Sequence, residues 1–398
     1  MPTRRIPPMK LTMDSLVRFV LCLYFVISIF EPYLNGIIGT VTKYYMFFVM
    51  FVLLWRDGFQ LKLRRISLAY IAWLMLKLVS LLWSEDFRIP QLHMISQLGM
   101  VLYLVVLLSR EPDKKTLDSI ETACWLASVC LGVLAIFFSG AYRGHAEARQ
   151  VLVIMGVEID PNNQAALLLI GVALSLNDLF YRKRRIGVSA VGLIINCYAC
   201  FQTSSRASLL TMGALGMFCV LYSPEKRKFG LVLRNALLLC CAVVAIYYIT
   251  IKLLPEANME RLFDFSGYEG GSERVWLWTT AWSVYSKDLL TILFGAGWGT
   301  VTPYLNGTVV HNTFLAMLCN VGLIGTLLFM VPIVVIALRM LKRKEPMSVL
   351  LLGAQFAPSF FIEAINKRFF WNAILILLMA YLENCKEYGV QKGRDRST

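Results

Sequence analysis

The stretch from Asp160 to Arg185, DPNNQAALLLIGVALSLNDLFYRKRR, decides the fold. Its middle, 165–181, is an apolar run of the length that crosses a hydrocarbon core about 30 Å thick. Asp160 and two asparagines precede the run, as helix-capping residues do, and Pro161 pre-sets the first turn. Arg182, Lys183, Arg184 and Arg185 follow it at once. A polar cap, an apolar run and a basic stop are the marks of a membrane-crossing helix whose basic end faces the cytoplasm.

The same pattern recurs in both directions along the chain. Apolar runs stand at 16–30, 37–55, 66–83, 92–108, 120–138, 165–181, 186–201, 207–222, 231–254, 314–338, 347–362 and 369–382. The chain has 398 residues, 58% hydrophobic and 16% charged. That is too little charge to cover a soluble domain of this size. The expectation is an all-α integral membrane protein of about twelve transmembrane helices. It forms a single polytopic domain over 1–398, with no room for a separate soluble one. Residues 1–10 are short and basic, and the first run reads as a retained span rather than a cleaved signal.

Lysine and arginine set the orientation. With the N-terminus inside, every inner segment is basic. The outer segments carry only Arg88, Arg143, Arg149, Arg206, Arg261, Arg274, Lys287, Lys367 and Arg368. The bias satisfies the positive-inside rule and puts both termini in the cytoplasm. The net charge of +14 is therefore a topology signal, and no nucleic-acid partner is expected. Ten cysteines do not form a disulfide framework, because most sit inside apolar runs. Cys197 and Cys200 make a C-x-x-C on an apolar helix with no second ligand pair, which reads as packing.

Two outer segments are long, 139–164 and 255–312. The second holds Trp276, Trp278 and Trp282 on a stretch that reads as an interfacial helix. It then runs into Gly295-Ala-Gly-Trp-Gly299, a tight backbone passage. With so few outer cations, each one is informative. Arg206 follows Thr203-Ser-Ser205, and Arg274 follows Gly270-Gly-Ser-Glu273. Guanidinium groups bind phosphate through paired N–H donors and stay charged. Arg206 and Arg274 together suit a diphosphate-linked lipid, with Arg143 and Arg149 as further candidates. His311 opens the tenth run, where a neutral imidazole can take a proton from a hydroxyl. Asn312 beside it either holds a sugar or caps the helix. Asp160, Asn162 and Ser205 are polar at the same depth. Glu363 and Arg368 cluster at the outer end of the eleventh run. Lys43 and Lys77 lie inside runs, where an ionisable group defaults to a functional role unless it snorkels to the surface. The outer segments lack a clear carboxylate cluster, which favours metal-independent chemistry with no cofactor.

In order, these motifs resemble the O-antigen ligase and polymerase superfamily of bacterial membrane proteins. The matching pieces are Asp160-Pro-Asn162 with Ala165, Thr203-Ser-Ser-Arg206, and Gly271-Ser-Glu-Arg274 with Trp278. They are followed by the Gly295–Gly299 glycines, His311-Asn312 with Gly322 and Gly325, and Arg368-Phe-Phe-Trp371. The resemblance centres on 160–330. It implies about twelve spans with a large extracytoplasmic loop, 255–312, between the ninth and tenth, a GT-C-like arrangement. It implies an inverting glycosyltransferase in the bacterial cytoplasmic (inner) membrane. The donor would be an undecaprenyl-diphosphate-linked oligosaccharide and the acceptor a glycan, with a flippase and a chain-length regulator as candidate partners. Arg206 and Arg274 would hold the diphosphate and His311 would activate or position the acceptor. The leading expectation is a surface-polysaccharide polymerase. The alternatives are a ligase that moves finished glycan to lipid A-core or protein and, from another class, a solute transporter.

Overall fold

Each of the twelve apolar runs falls largely on helix in the computed structural model, which describes residues 12–143, 149–222, 229–253, 256, 258, 262 and 270–394. The described residues are 78% helical, which fits the all-α class. Among the described residues five helices are long and apolar enough to cross a membrane: Met13–Ile38, Arg65–Trp83, Lys114–Phe137, Pro161–Arg182 and Thr313–Lys342. His93–Leu108, Ile186–Gln202, Arg206–Leu221 and Met347–Phe360 are shorter apolar helices. The architecture is that of a multi-pass membrane protein.

In chain order the helices are α1 Met13–Ile38, α2 Val41–Arg56, α3 Arg65–Val79, α4 Arg88–Leu108, α5 Lys114–Phe137, α6 Pro161–Asn177, α7 Ile186–Gln202, α8 Arg206–Leu221 and α9 Phe229–Leu253. After them come α10 Gly270–Tyr285, α11 Leu289–Phe294, the single turn α12 Val301–Tyr304, α13 Thr313–Lys342, α14 Met347–Phe356 and α15 Arg368–Arg394.

The opening stretch becomes the central helix. Asp160 caps α6 by accepting from the Asn162 and Asn163 amides, and Pro161 takes the first position. From Gln164 to Asn177 every residue is buried, so α6 shows no polar face. It packs against α5, α7, α8 and α14. Lipid offers no hydrophobic drive between helices, so small residues and interhelical hydrogen bonds must hold them. Both are present. Ser128 of α5 donates to the Leu167 carbonyl (3.1 Å) and accepts from the Gly171 amide (3.0 Å). A Cβ on Gly171 would stand 2.5 Å from Asn196 of α7. With the π-type turn Asp178–Arg182, α6 runs 22 residues, about 33 Å at 1.5 Å per residue.

The stretch 139–164, read from sequence as an outer loop, forms a small sheet. Strands Ser139–Ala141 and Gln150–Leu152 pair antiparallel, with Gly140 opposite Val151. Gln164 of α6 accepts from the Leu152 amide (2.8 Å) and from the Tyr33 hydroxyl (3.0 Å), fixing the hairpin to α6 and α1.

Most of 255–269 lies outside the described residues. The rest of the 255–312 segment has its own core. Leu277, Ala281 and Tyr285 of α10 pack with Val301, Leu305, Val310, Ala316 and Cys319. The Gly295–Gly299 passage threads between α3 and α13. Trp298 donates its amide to Ser80 (3.2 Å), and the Ser84 hydroxyl donates to the Trp298 carbonyl (2.6 Å). On the other side Ala296 donates to the Cys319 carbonyl (2.7 Å), and Gly299 donates to the Asn320 side chain (3.1 Å). α13 breaks at Gly322, with φ 65 and ψ −169. The passage thus supplies hydrogen-bond partners at the break, as buried non-helical backbone in a membrane protein requires.

Candidate functional site

The helix ends assigned as outer by charge enclose a cavity of about 240 Å³. Its walls include α12 and the first turns of α13, through Val301, Ala316 and Asn320, and several further segments. α3 supplies Lys77, and α4 supplies His93 and Gln97. The cap of α6 supplies Asp160 and Asn163. The glycine passage supplies Trp298 and Gly299, and the turn before α13 supplies Val310 and His311. Glu363, Asn366 and Lys367 come from the loop before α15. A larger, more open groove of about 840 Å³ beside α10 and α11 takes Lys287 and Gly295 into its lining but none of the candidate catalytic or substrate-binding residues. The smaller cavity concentrates the polar groups and is the candidate site.

Lys77 does not snorkel. It is 2% exposed, with its ammonium 4.4 Å from the Trp298 ring centre and 5.3 Å from that of Trp73. Two indole faces substitute for part of the water this cation loses. Glu363 is half-buried on the same cavity. Burial pushes its carboxyl above the ordinary range, while Lys77, Lys367 and the Val310 amide pull it back. His311 is exposed at the mouth, in a left-handed backbone conformation with φ 52.

Four of the candidate site residues therefore meet on one cavity: Lys77, Asp160, His311 and Glu363. Others stand around it. Asn162 accepts from the Ser205 hydroxyl (2.8 Å), tying the first turn of α6 to the residue before Arg206. The preceding turn is held from the long segment, where Asn258 donates to the Gln202 carbonyl (3.0 Å) and to Ser204 (2.8 Å). Arg274 packs its guanidinium 5.9 Å from the Phe361 ring centre, two residues from Glu363. One turn on, Trp278 donates to the Val310 carbonyl (3.2 Å), next to His311. Trp278 is thus an anchor, while Trp276 and Trp282 are exposed.

The remaining candidates do not line the cavity. Asn312 is a helix cap, accepting from the Phe314 and Leu315 amides at 3.1 Å each. Arg368 is 2% exposed and pairs with Glu31 inside the bundle. Its long side chain turns inward because a carboxylate waits beside Pro32 of α1. Arg143 is exposed on the hairpin, where its amide donates to Glu158 (3.1 Å). Arg149 is buried at the start of the second strand. Lys43 stays half-buried in the first turn of α2.

The cavity also contains residues that the sequence reading passed over. His93 and Gln97 lie four apart on α4, so they share a helix face. Two polar groups at that spacing inside an apolar run were the signal that would have found them. The Gln97 side-chain nitrogen donates to Asn366. The Gln97 and Asn163 side-chain carbonyls, both on this cavity, have no hydrogen-bond partner among the described residues. A buried acceptor left unpaired costs about 1–3 kcal/mol, so a ligand hydroxyl would be a favourable partner.

Asn312→Ala is expected to cost about 1 kcal/mol of stability through the lost cap, with Asn312→Asp close to wild type. Thermal unfolding in detergent checks this. Unchanged stability in Asn312→Ala would return the residue to the substrate-binding set.

No protein-family model matches the chain, and none of the curated proteins compared with it matches either.

Proposed function

We propose that this chain is a glycan transferase acting at the outer face of the bacterial cytoplasmic membrane on an undecaprenyl-diphosphate-linked donor. In this reading the twelve helical runs are twelve spans, both termini are cytoplasmic, and 255–312 is a large outer loop. The most fitting activity is a surface-polysaccharide polymerase, and ligation to lipid A-core or protein is the nearest alternative.

The observation that carries the proposal is the convergence of Lys77, Asp160, His311 and Glu363 on one cavity, flanked by the segments of Arg206 and Arg274. The two guanidinium groups would hold the donor diphosphate and stabilise the charge that grows on it as the anomeric C–O bond breaks. An acceptor hydroxyl attacks from the opposite face, which inverts the anomeric carbon. Its proton passes to His311, and undecaprenyl diphosphate leaves with the bonding electron pair. The open carbonyls of Gln97 and Asn163 suit sugar hydroxyls, and Trp298 with Lys77 forms a firm wall behind them.

One observation favours a transporter: α13 is broken at Gly322, and broken helices often mark transport sites. Against it, the Cys319 carbonyl just before the break is taken by Ala296 and the Asn320 side chain by Gly299. These contacts make the break a scaffold for the glycine passage.

Deleting the gene and analysing carrier-linked glycans tests the proposal. Accumulated single repeat units are expected for a polymerase, and long unattached chains for a ligase. Carrier-linked and surface glycans identical to the parent strain would overturn both.

A further inference from the structure

The basic end of the bundle carries a second site. A cavity of about 510 Å³ lies between the far ends of α5, α6, α8, α9 and α13. Among the described residues Lys114, Arg182, Lys183, Arg184, Arg234 and Lys344 line it, against Asp118 and Glu345. Arg182 is committed to protein partners, at 2.5 Å from Glu121 and 3.4 Å from Asp118. Lys183, Arg184 and Lys344 remain exposed at the rim. The buried amides of Asn177 and Asn235 form part of the wall.

Two of these cations hold an unusual backbone. Lys183 (φ 51) ends the turn after α6, and Lys344 (φ 65) follows α13. Both are left-handed positions one or two residues past a helix end, where glycine is the unstrained choice. A lysine there accepts strain that glycine would relieve, and strain of this kind gathers at ligand clamps. The ordinary reading, a cation compensating a helix dipole, does not require that backbone, since a lysine within the last turn serves equally well.

The cavity sits at the level where headgroups would stand. α6 spans about 33 Å from Asp160, at the candidate site, to Arg182 here. The aromatic pair Tyr181 and Tyr222 lines it, and Tyr222 donates to the Leu341 carbonyl (2.7 Å), joining α8 to α13. Tyrosine is favoured at that interface. Basic pockets between helix ends on the cytoplasmic side bind anionic headgroups. The geometry points to this cavity as a binding site for the phosphodiester headgroup of an anionic phospholipid, clamped by Lys183 and Lys344.

The test uses the purified full-length chain in detergent, with lipid adducts read by native mass spectrometry. Phosphatidylglycerol is expected to be retained over phosphatidylcholine. The double variant Lys183→Gly with Lys344→Gly removes both charges while easing the backbone, so it is expected to fold at least as stably as wild type. It should lower phosphatidylglycerol retention by about thirtyfold. A control, Lys62→Gln with Arg65→Gln, alters another basic segment away from the cavity and should leave retention unchanged. Equal retention of the two lipids, retention surviving the double glycine variant, or an equal loss in the control would each overturn the inference. Displacement of the lipid by millimolar inorganic phosphate would also overturn it, by assigning the cavity to free phosphate instead.

Discussion

Gly322→Ala is expected to cost more than about 4 kcal/mol and to leave little protein recoverable in the folded state. Two effects add. The backbone at Gly322 (φ 65, ψ −169) lies in a region that residues with a Cβ do not adopt without strain of about 1–3 kcal/mol. The added methyl would also stand 2.3 Å from the Leu293 carbonyl oxygen and 2.4 Å from the Phe294 nitrogen, which are main-chain atoms that cannot rotate away. From the facing side, a Cβ on Gly295 would meet the main chain of Asn320 and Val321 at 2.6 Å. The two glycines let α11 and the break in α13 touch, and that contact positions Trp298 over Lys77. Gly213→Ala in α8 is the control, since its Cβ would meet nothing within 4 Å. Thermal unfolding and yield after solubilisation measure both. A Gly322→Ala protein that melts like wild type would mean the break is not a required feature of the fold.

The second large effect concerns Arg206 and Arg274. Each alanine variant is expected to lower glycan transfer by about 10²–10³-fold, the loss seen when one preorganised donor to a developing anion is removed. Insertion and folding should be unaffected. Neither arginine lines the cavity itself. Arg274 rests on Phe361, and Arg206 follows Ser205, which is bonded to Asn162 of α6. That placement fits a diphosphate held at the mouth with the sugar directed inward. Lysine replacements should recover only part of the rate, because an ammonium cannot reproduce the paired guanidinium donors.

Much of the fold was legible in the sequence for a simple physical reason. Spans declare themselves by length and hydropathy, and the run 165–181 with its capping Asp160 and its arginine stop is found as α6 almost residue for residue. The site was legible only in part. Asp160, His311 and Glu363 stand out because they border apolar runs, and Lys77 because it interrupts one. His93 and Gln97 escaped notice because each is a modest polar residue, and their meaning depends on which helix face turns inward. Arg368 misled for the converse reason. Its position at a helix start resembles an outer cation, yet its partner Glu31 is far away in sequence and inside the bundle. The β-hairpin was hidden because three-residue strands carry too little alternation to register against a loop.

The central claim is that the cavity between α3, α6 and α13 serves transfer from a lipid diphosphate. Its most direct measurement is reconstitution of the purified chain in vesicles with an undecaprenyl-diphosphate-linked oligosaccharide and an acceptor glycan, following free undecaprenyl diphosphate and the elongated product together. With the wild-type chain one undecaprenyl diphosphate is expected to be released for each repeat unit added to the acceptor, and Arg274→Ala, inserted and folded, is expected to produce neither at a comparable rate. Equal release by the wild-type and Arg274→Ala chains, or release without any elongated glycan, would contradict it.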